Sequence, residues 1–143
     1  MQIKAPKLYF YDTALACYVL RIANAEQLET HYLRGGLVEL MILSELVKKF
    51  YNHGKEPSIY YWRTSRMNEV DCLLDYGQSV IPVEIKASAT FKARFFDGIA
   101  YWCSQAGVDQ SIGYVVYGGQ ERHQMKSGTL VGWREAATVV NID

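Results

Sequence analysis

A change of hydrophobic period between residues 36 and 87 constrains this chain more than any other feature. Over residues 36–51, Leu37, Leu40, Met41, Leu43, Leu46, Val47 and Phe50 recur at helical spacing, and Asn52-His53-Gly54 ends the run. Past Pro57 the period shortens. Residues 58–63, 68–74 and 79–87 are three β-rich runs, the last two separated by the turn residues Asp75-Tyr76-Gly77-Gln78. A helix feeding a three-stranded meander needs a second layer to cover the other face of the sheet.

The flanks supply it. Residues 91–105 return to helical spacing through Phe95, Phe96, Ile99, Trp102 and Cys103, and stop before Gly107. Residues 111–117 read as a further strand closed by Gly118-Gly119, with short strands near Gln124 and over 129–133 and a last helical turn at Glu135. Ahead of the long helix, residues 7–11 read as an aromatic strand. Asp12-Thr13 is placed to cap a helix over 14–22, and 23–34 reads as an irregular or partly helical connection. The expected fold class is α/β, a mixed central sheet flanked by helices, in a single domain over 1–143 with its core at about 36–117.

Composition excludes several classes. Three prolines, 13% aromatics and 50% apolar residues exclude a disordered or collagen-like chain. No apolar run approaches the roughly 18–20 residues that span a bilayer, and Lys4 is followed by no long apolar stretch of the signal-peptide kind. Cys17, Cys72 and Cys103 are odd in number and far apart, with no Cys-x-x-Cys. They read as buried free thiols, and the expected setting is cytoplasmic. Fifteen basic residues balance fifteen acidic ones. That balance argues against a large basic face for nucleic acid but leaves room for a local groove.

The chemistry-bearing region is Glu69-Val70-Asp71 against Val83-Glu84-Ile85-Lys86. If Tyr76-Gly77 is a two-residue hairpin turn, Asp71 pairs with Pro82 and Glu69 with Glu84. All of Glu69, Asp71, Glu84 and Lys86 then share one face, with Asp71 and Glu84 diagonal at roughly 7–8 Å. A one-residue slip sends Asp71 and Glu84 to opposite faces. Like charges this close weaken a sheet, so the cluster calls for a compensating cation. Oxygen ligands at this spacing suit Mg²⁺, and a lysine two residues past a ligand can orient a water or stabilise charge developing on a phosphate. The alternative is that the carboxylates end two exposed strands and are simply solvated.

Asp71 on the second strand, Glu84-Ile85-Lys86 on the third, and a helix on either side together resemble the PD-(D/E)xK nuclease superfamily, here with Val70 in place of its proline. The resemblance implies a restriction-endonuclease-like α-β-β-β-α-β core. More closely, Leu33-Arg34-Gly35-Gly36-Leu37-Val38-Glu39, Tyr61-Trp62-Arg63, Glu69-Val70-Asp71-Cys72-Leu73-Leu74, Pro82-Val83-Glu84-Ile85-Lys86 and Tyr117-Gly118-Gly119 look like a domain of unknown function. That domain is found at the C-terminus of bacterial and archaeal AAA+-type ATPases.

By that resemblance Asp71 and Glu84 would ligate Mg²⁺ (or Mn²⁺), with Glu39 of the long helix as a third acidic group, and Lys86 would complete the catalytic signature. Glu39 also has a physical case, because a carboxylate among Leu37, Val38, Leu40 and Met41 is costly unless paired or ligating. Arg63 reads as a phosphate contact or a partner for Glu69, and Arg66, Lys92 and Arg94 as a phosphate-contacting rim or a plain solvated surface. His31, His53 and His123 stand without ligand spacing. No G-x-x-x-x-G-K-[ST] occurs, so an ATPase module would be a partner in cis or in trans, and a face exposed by its absence would favour self-association. Two functions follow: an accessory domain that binds DNA, RNA or a protein partner without cutting, or an active metal-dependent phosphodiesterase.

Overall fold

A computed structural model of the chain describes residues 7–142. The long helix, α3 (Arg34–Asn52), follows two short ones, α1 (Thr13–Val19) and α2 (Ala25–Thr30). Asp12 caps α1 as its position predicted, its side chain accepting from the Ala14 and Leu15 amides. Then come β1 (Ile59–Arg63), β2 (Glu69–Asp75), β3 (Val80–Lys86), α4 (Asp97–Ala106), β4 (Tyr114–Tyr117), β5 (His123–Met125) and β6 (Gly128–Gly132). A single six-stranded sheet runs in the order β1-β2-β3-β4-β6-β5. β1–β2–β3 and β5–β6 are antiparallel, whereas β3–β4 and β4–β6 are parallel, so the sheet is mixed.

Each face buries its own cluster. On one, α3 packs Ile42, Leu43, Leu46 and Phe50 against Cys72, Leu74, Val83 and Ile85, joined by Val139, Val140 and Ile142 from the tail. On the other, Phe95, Phe96, Ile99 and Cys103 cover Val115, Tyr117 and Leu130. A sheet clothed on both faces explains why β4 is an apolar run and why β6 is buried along its whole length. α4 ends on Gly107, whose positive φ (69°) forms the left-handed cap.

Several expectations need correction. Residues 7–11 form no strand. The segment lies across α3, with the Tyr11 carbonyl accepting from Ser44 Oγ at 3.0 Å, so its polar groups are satisfied by the helix rather than by a sheet edge. The helix expected over 91–105 starts later: Ala93–Phe96 is a 3₁₀ turn that leads into α4. A second 3₁₀ turn, Gln110–Ile112, occupies the start of the strand expected at 111, and the final turn of helix is a 3₁₀ segment, Trp133–Val139. Among the cysteines, Cys72 and Cys103 are buried but Cys17 is only partly so; all three are free.

The β2–β3 register also differs. Asp75 pairs with Val80 and Cys72 with Val83, so the connection is the four residues 76–79 rather than two. Asp75 Oδ1 accepts the Gly77 amide at 2.7 Å, Gly77 takes a positive φ (80°), and the Tyr76 amide reaches the Ser79 carbonyl at 2.9 Å. This Asx-type turn costs two more residues than a primed hairpin turn. Between β1 and β2 there is a second irregularity: Tyr60 pairs with Leu73 but Trp62 with Val70. Asp71 and Cys72 therefore both oppose Tyr61, a β-bulge at the residue singled out for chemistry.

Candidate functional site

The bulge decides what Asp71 can reach. In a regular ladder the side chain stands out of the sheet, but the pairing of β2 with β3 stops at Cys72–Val83. One step further, the Ile85 amide donates to Asp71 Oδ2 at 2.8 Å. Asp71 thus stands in for a missing ladder bond at the seam between the two strands. It also lines a cavity with Leu43 and Val47 of α3.

Glu84 comes from the other side. Val83 and Ile85 belong to the α3 face, so alternation sends Glu84 and Lys86 toward α4. There the Glu84 carboxylate lies directly against Gly98, where a Cβ would overlap Oε1 and come within 2.8 Å of the Glu69 carbonyl oxygen. The expectation that Glu69, Asp71, Glu84 and Lys86 share one face is therefore corrected. Glu69 bonds the Tyr61 hydroxyl (2.9 Å) and lies 3.7 Å from Arg63 Nε, while Glu84 reaches Gly98 of α4 and holds Lys86 Nζ at 3.0 Å. Asp71 and Glu84 still meet, because one lies in the seam and the other beside it.

Their proximity shows in the electrostatics. Asp71 is 9% and Glu84 4% exposed. Burial, then the Asp71 charge, push the Glu84 carboxyl up to about 8, against the pull of Lys86. Lys86 Nζ sits 3.0 Å from Glu84 Oε2, and the two carboxylates outweigh its own burial to hold its pKa above the ordinary lysine value. Lys86 lies within reach of both buried carboxylates and Lys7 within reach of Asp71, but Lys7 is already paired with Glu39. The two carboxylates therefore stay under-compensated, and the pocket favours an additional positive charge, a proton or a metal.

Glu39 does not join them. Lys7 Nζ and the Tyr9 hydroxyl both donate to its Oε1, at 2.6 and 2.5 Å, and Lys7 also lies over the Tyr61 ring (4.9 Å). Among the described residues, no three His, Cys, Asp or Glu side chains converge closely enough to hold a metal ion. The oxygen donors on hand for Mg²⁺ are thus Asp71 and Glu84. Two carboxylates with waters completing the shell satisfy that ion's usual needs, so the residues fit it with Glu39 set apart.

The basic residues are dispersed. Arg63 is half-buried beside Glu69, and Arg66, Lys92 and Arg94 are exposed without ion pairs among the described residues. Arg34 is a contributor that the sequence reading passed over: its guanidinium donates to the Ala87 carbonyl at 3.2 Å, one residue beyond Lys86. Lys7 and Tyr9 were read only as part of a strand. Their spacing of two in extended backbone was the available signal, since it sends both side chains the same way.

Fold and site together define an α/β domain that brings two buried carboxylates and a lysine to the seam of a mixed sheet. The chain belongs to the family described as domain of unknown function DUF4143, whose model matches residues 34–135. No curated protein matches the chain.

Proposed function

We propose that this is a PD-(D/E)xK nuclease-like accessory domain of an AAA+-type ATPase, and that the Asp71–Glu84–Lys86 cluster is its nucleic-acid-handling site. The observation that carries the reading is the burial of Asp71 and Glu84 side by side. Two adjoining carboxylates in a protein interior lower stability, and a site held together at that cost is a candidate for function. The element order from α3 to β4 is helix, three strands, helix, strand, as in a restriction-endonuclease-like core.

Asp71 and Glu84 would hold Mg²⁺ or Mn²⁺. A divalent ion there supplies charge against a phosphate and a water of lowered pKa. Lys86, tethered to Glu84, is placed to meet a phosphate oxygen. Whether the domain cuts or only binds turns on two contacts. The Lys86–Glu84 pair occupies the lysine, and Lys7 with Tyr9 occupies Glu39; both favour a binding module over a phosphodiesterase.

The test is to incubate the chain with labelled single- and double-stranded DNA and RNA, with and without Mg²⁺ or Mn²⁺, beside Asp71→Asn and Lys86→Ala. The binding reading expects retention of nucleic acid that both variants weaken, without product. Metal-dependent cutting lost in both variants would establish the phosphodiesterase instead. Retention or cutting identical in parent and variants would remove the cluster from either role.

A further inference from the structure

We infer that the site takes single-stranded nucleic acid, with one unpaired base held in the tyrosine-lined cavity beside Asp71. The inference rests on the functional reading above and adds the substrate class. The cavity has a volume of about 430 Å³, enough for one nucleoside, and Tyr9, Tyr51, Tyr60 and Tyr61 line it together with Lys7 and Asp71. Asp71 belongs both to this cavity and to the seam with Glu84. A nucleotide whose phosphate meets the cluster at its Asp71 end is therefore adjacent to the aromatic lining.

The lining suits a base rather than an aliphatic group. Tyr60 is 57% and Tyr51 52% exposed, so both leave ring surface free. Lys7, paired with Glu39, lies over the Tyr9 and Tyr61 rings at 5.5 and 4.9 Å, so the faces left for a base are those of Tyr51 and Tyr60. Stacking on an aromatic side chain is tolerant of sequence and is worth roughly five- to hundred-fold in affinity per base.

Duplex is disfavoured on two grounds. A paired base has to be unstacked and flipped before it enters a one-nucleoside cavity, which consumes most of the stacking gain. Duplex affinity also comes mainly from many phosphate contacts, and a chain with fifteen basic and fifteen acidic residues offers no broad basic face. A splayed single strand needs only a few such contacts and gains the stacking in full.

The experiment is fluorescence anisotropy in EDTA, so that no strand is cut, using the full chain. The probes are a labelled 10-nucleotide single strand, a hairpin duplex of equal length and a single strand with a central run of abasic sites. The expected result is single-strand binding at least ten-fold tighter than duplex, weakened about five-fold or more by the abasic run and by Tyr60→Ala. Tyr60→Phe, which keeps the ring on an exposed position, should restore it. Equal binding of duplex, or binding unchanged in Tyr60→Ala and Tyr51→Ala, overturns this inference while leaving the functional reading intact. No binding of any probe, in EDTA and again with Mg²⁺ present, overturns both.

Discussion

Glu84 is the residue on which the local energetics turn. An acid whose folded pKa stands near 8 instead of about 4.5 binds more protons folded than unfolded, so the stability it confers is complete below about pH 4.5 and is lost as pH rises to about 8. In EDTA, Glu84→Gln should therefore gain on the parent across that window, by up to a few kcal/mol at pH 8. Losing the charge on Lys86's partner offsets part of the gain. Urea unfolding at pH 5 and pH 8 measures it; parallel stability curves for the two proteins would contradict the assignment. Gly98 supports the same residue. Alanine is the better helix former by about 1 kcal/mol, yet its Cβ would overlap the Glu84 carboxylate and crowd the Glu69 carbonyl. The Glu84 carboxylate is buried and the Glu69 carbonyl is held in the backbone of β2, so overpacking at about 1–3 kcal/mol should win. Gly98→Ala is expected to lower the unfolding midpoint, and a rise would show that the site yields easily.

At the scale of elements, the segment before α1 and the bulge in β2 matter most, and neither was legible in the sequence. Lys7, Tyr9 and Tyr11 carry a strand's residue types. Propensity alone cannot tell whether an extended segment finds a sheet edge or, as here, hydrogen-bonds across a helix through Glu39 and Ser44. Asp71 stands out in the sequence as a candidate for chemistry, but its aim depended on a register that a four-residue Asx turn and a one-residue bulge reset. The long helix and the three strands after it were plain because their apolar periods are long and unbroken. If Lys7 shields Glu39 from the cluster, Lys7→Met, which removes a partly buried ion pair (side chains 34% and 13% exposed), should lower folding stability by about 1.5–3 kcal/mol and should tighten Mg²⁺ binding. Calorimetry on that variant reads the second effect directly; unchanged or weaker affinity would show that the segment does not restrain the site.

For the whole molecule, the family match and the folded unit do not coincide. The match stops at residue 135, yet Ala136, Val139, Val140 and Ile142 are buried against α3 and the sheet. The Asn141 amide donates to the Tyr76 hydroxyl (3.0 Å), and Lys55 Nζ donates to the Ile142 carbonyl (2.8 Å). Burying Val139, Val140 and Ile142 contributes about 1.5–3 kcal/mol each, against a usual total of roughly 5–15 kcal/mol for a domain. A chain ended at residue 135 should therefore lose most of its stability, seen as loss of a cooperative thermal transition; a transition within a few degrees of the parent's would contradict this. Among the described residues, no helix is long and apolar enough to cross a membrane.

The most direct test of the central claim is Mg²⁺ and Mn²⁺ titration by isothermal calorimetry at pH 7.5, repeated in buffers of different ionisation enthalpy. If Asp71 and Glu84 form a divalent-ion site, one ion binds per chain, a proton leaves Glu84 so that the heat varies with buffer, and Asp71→Asn abolishes the signal. Heats indistinguishable from dilution, or binding that survives Asp71→Asn with no buffer dependence, would contradict it.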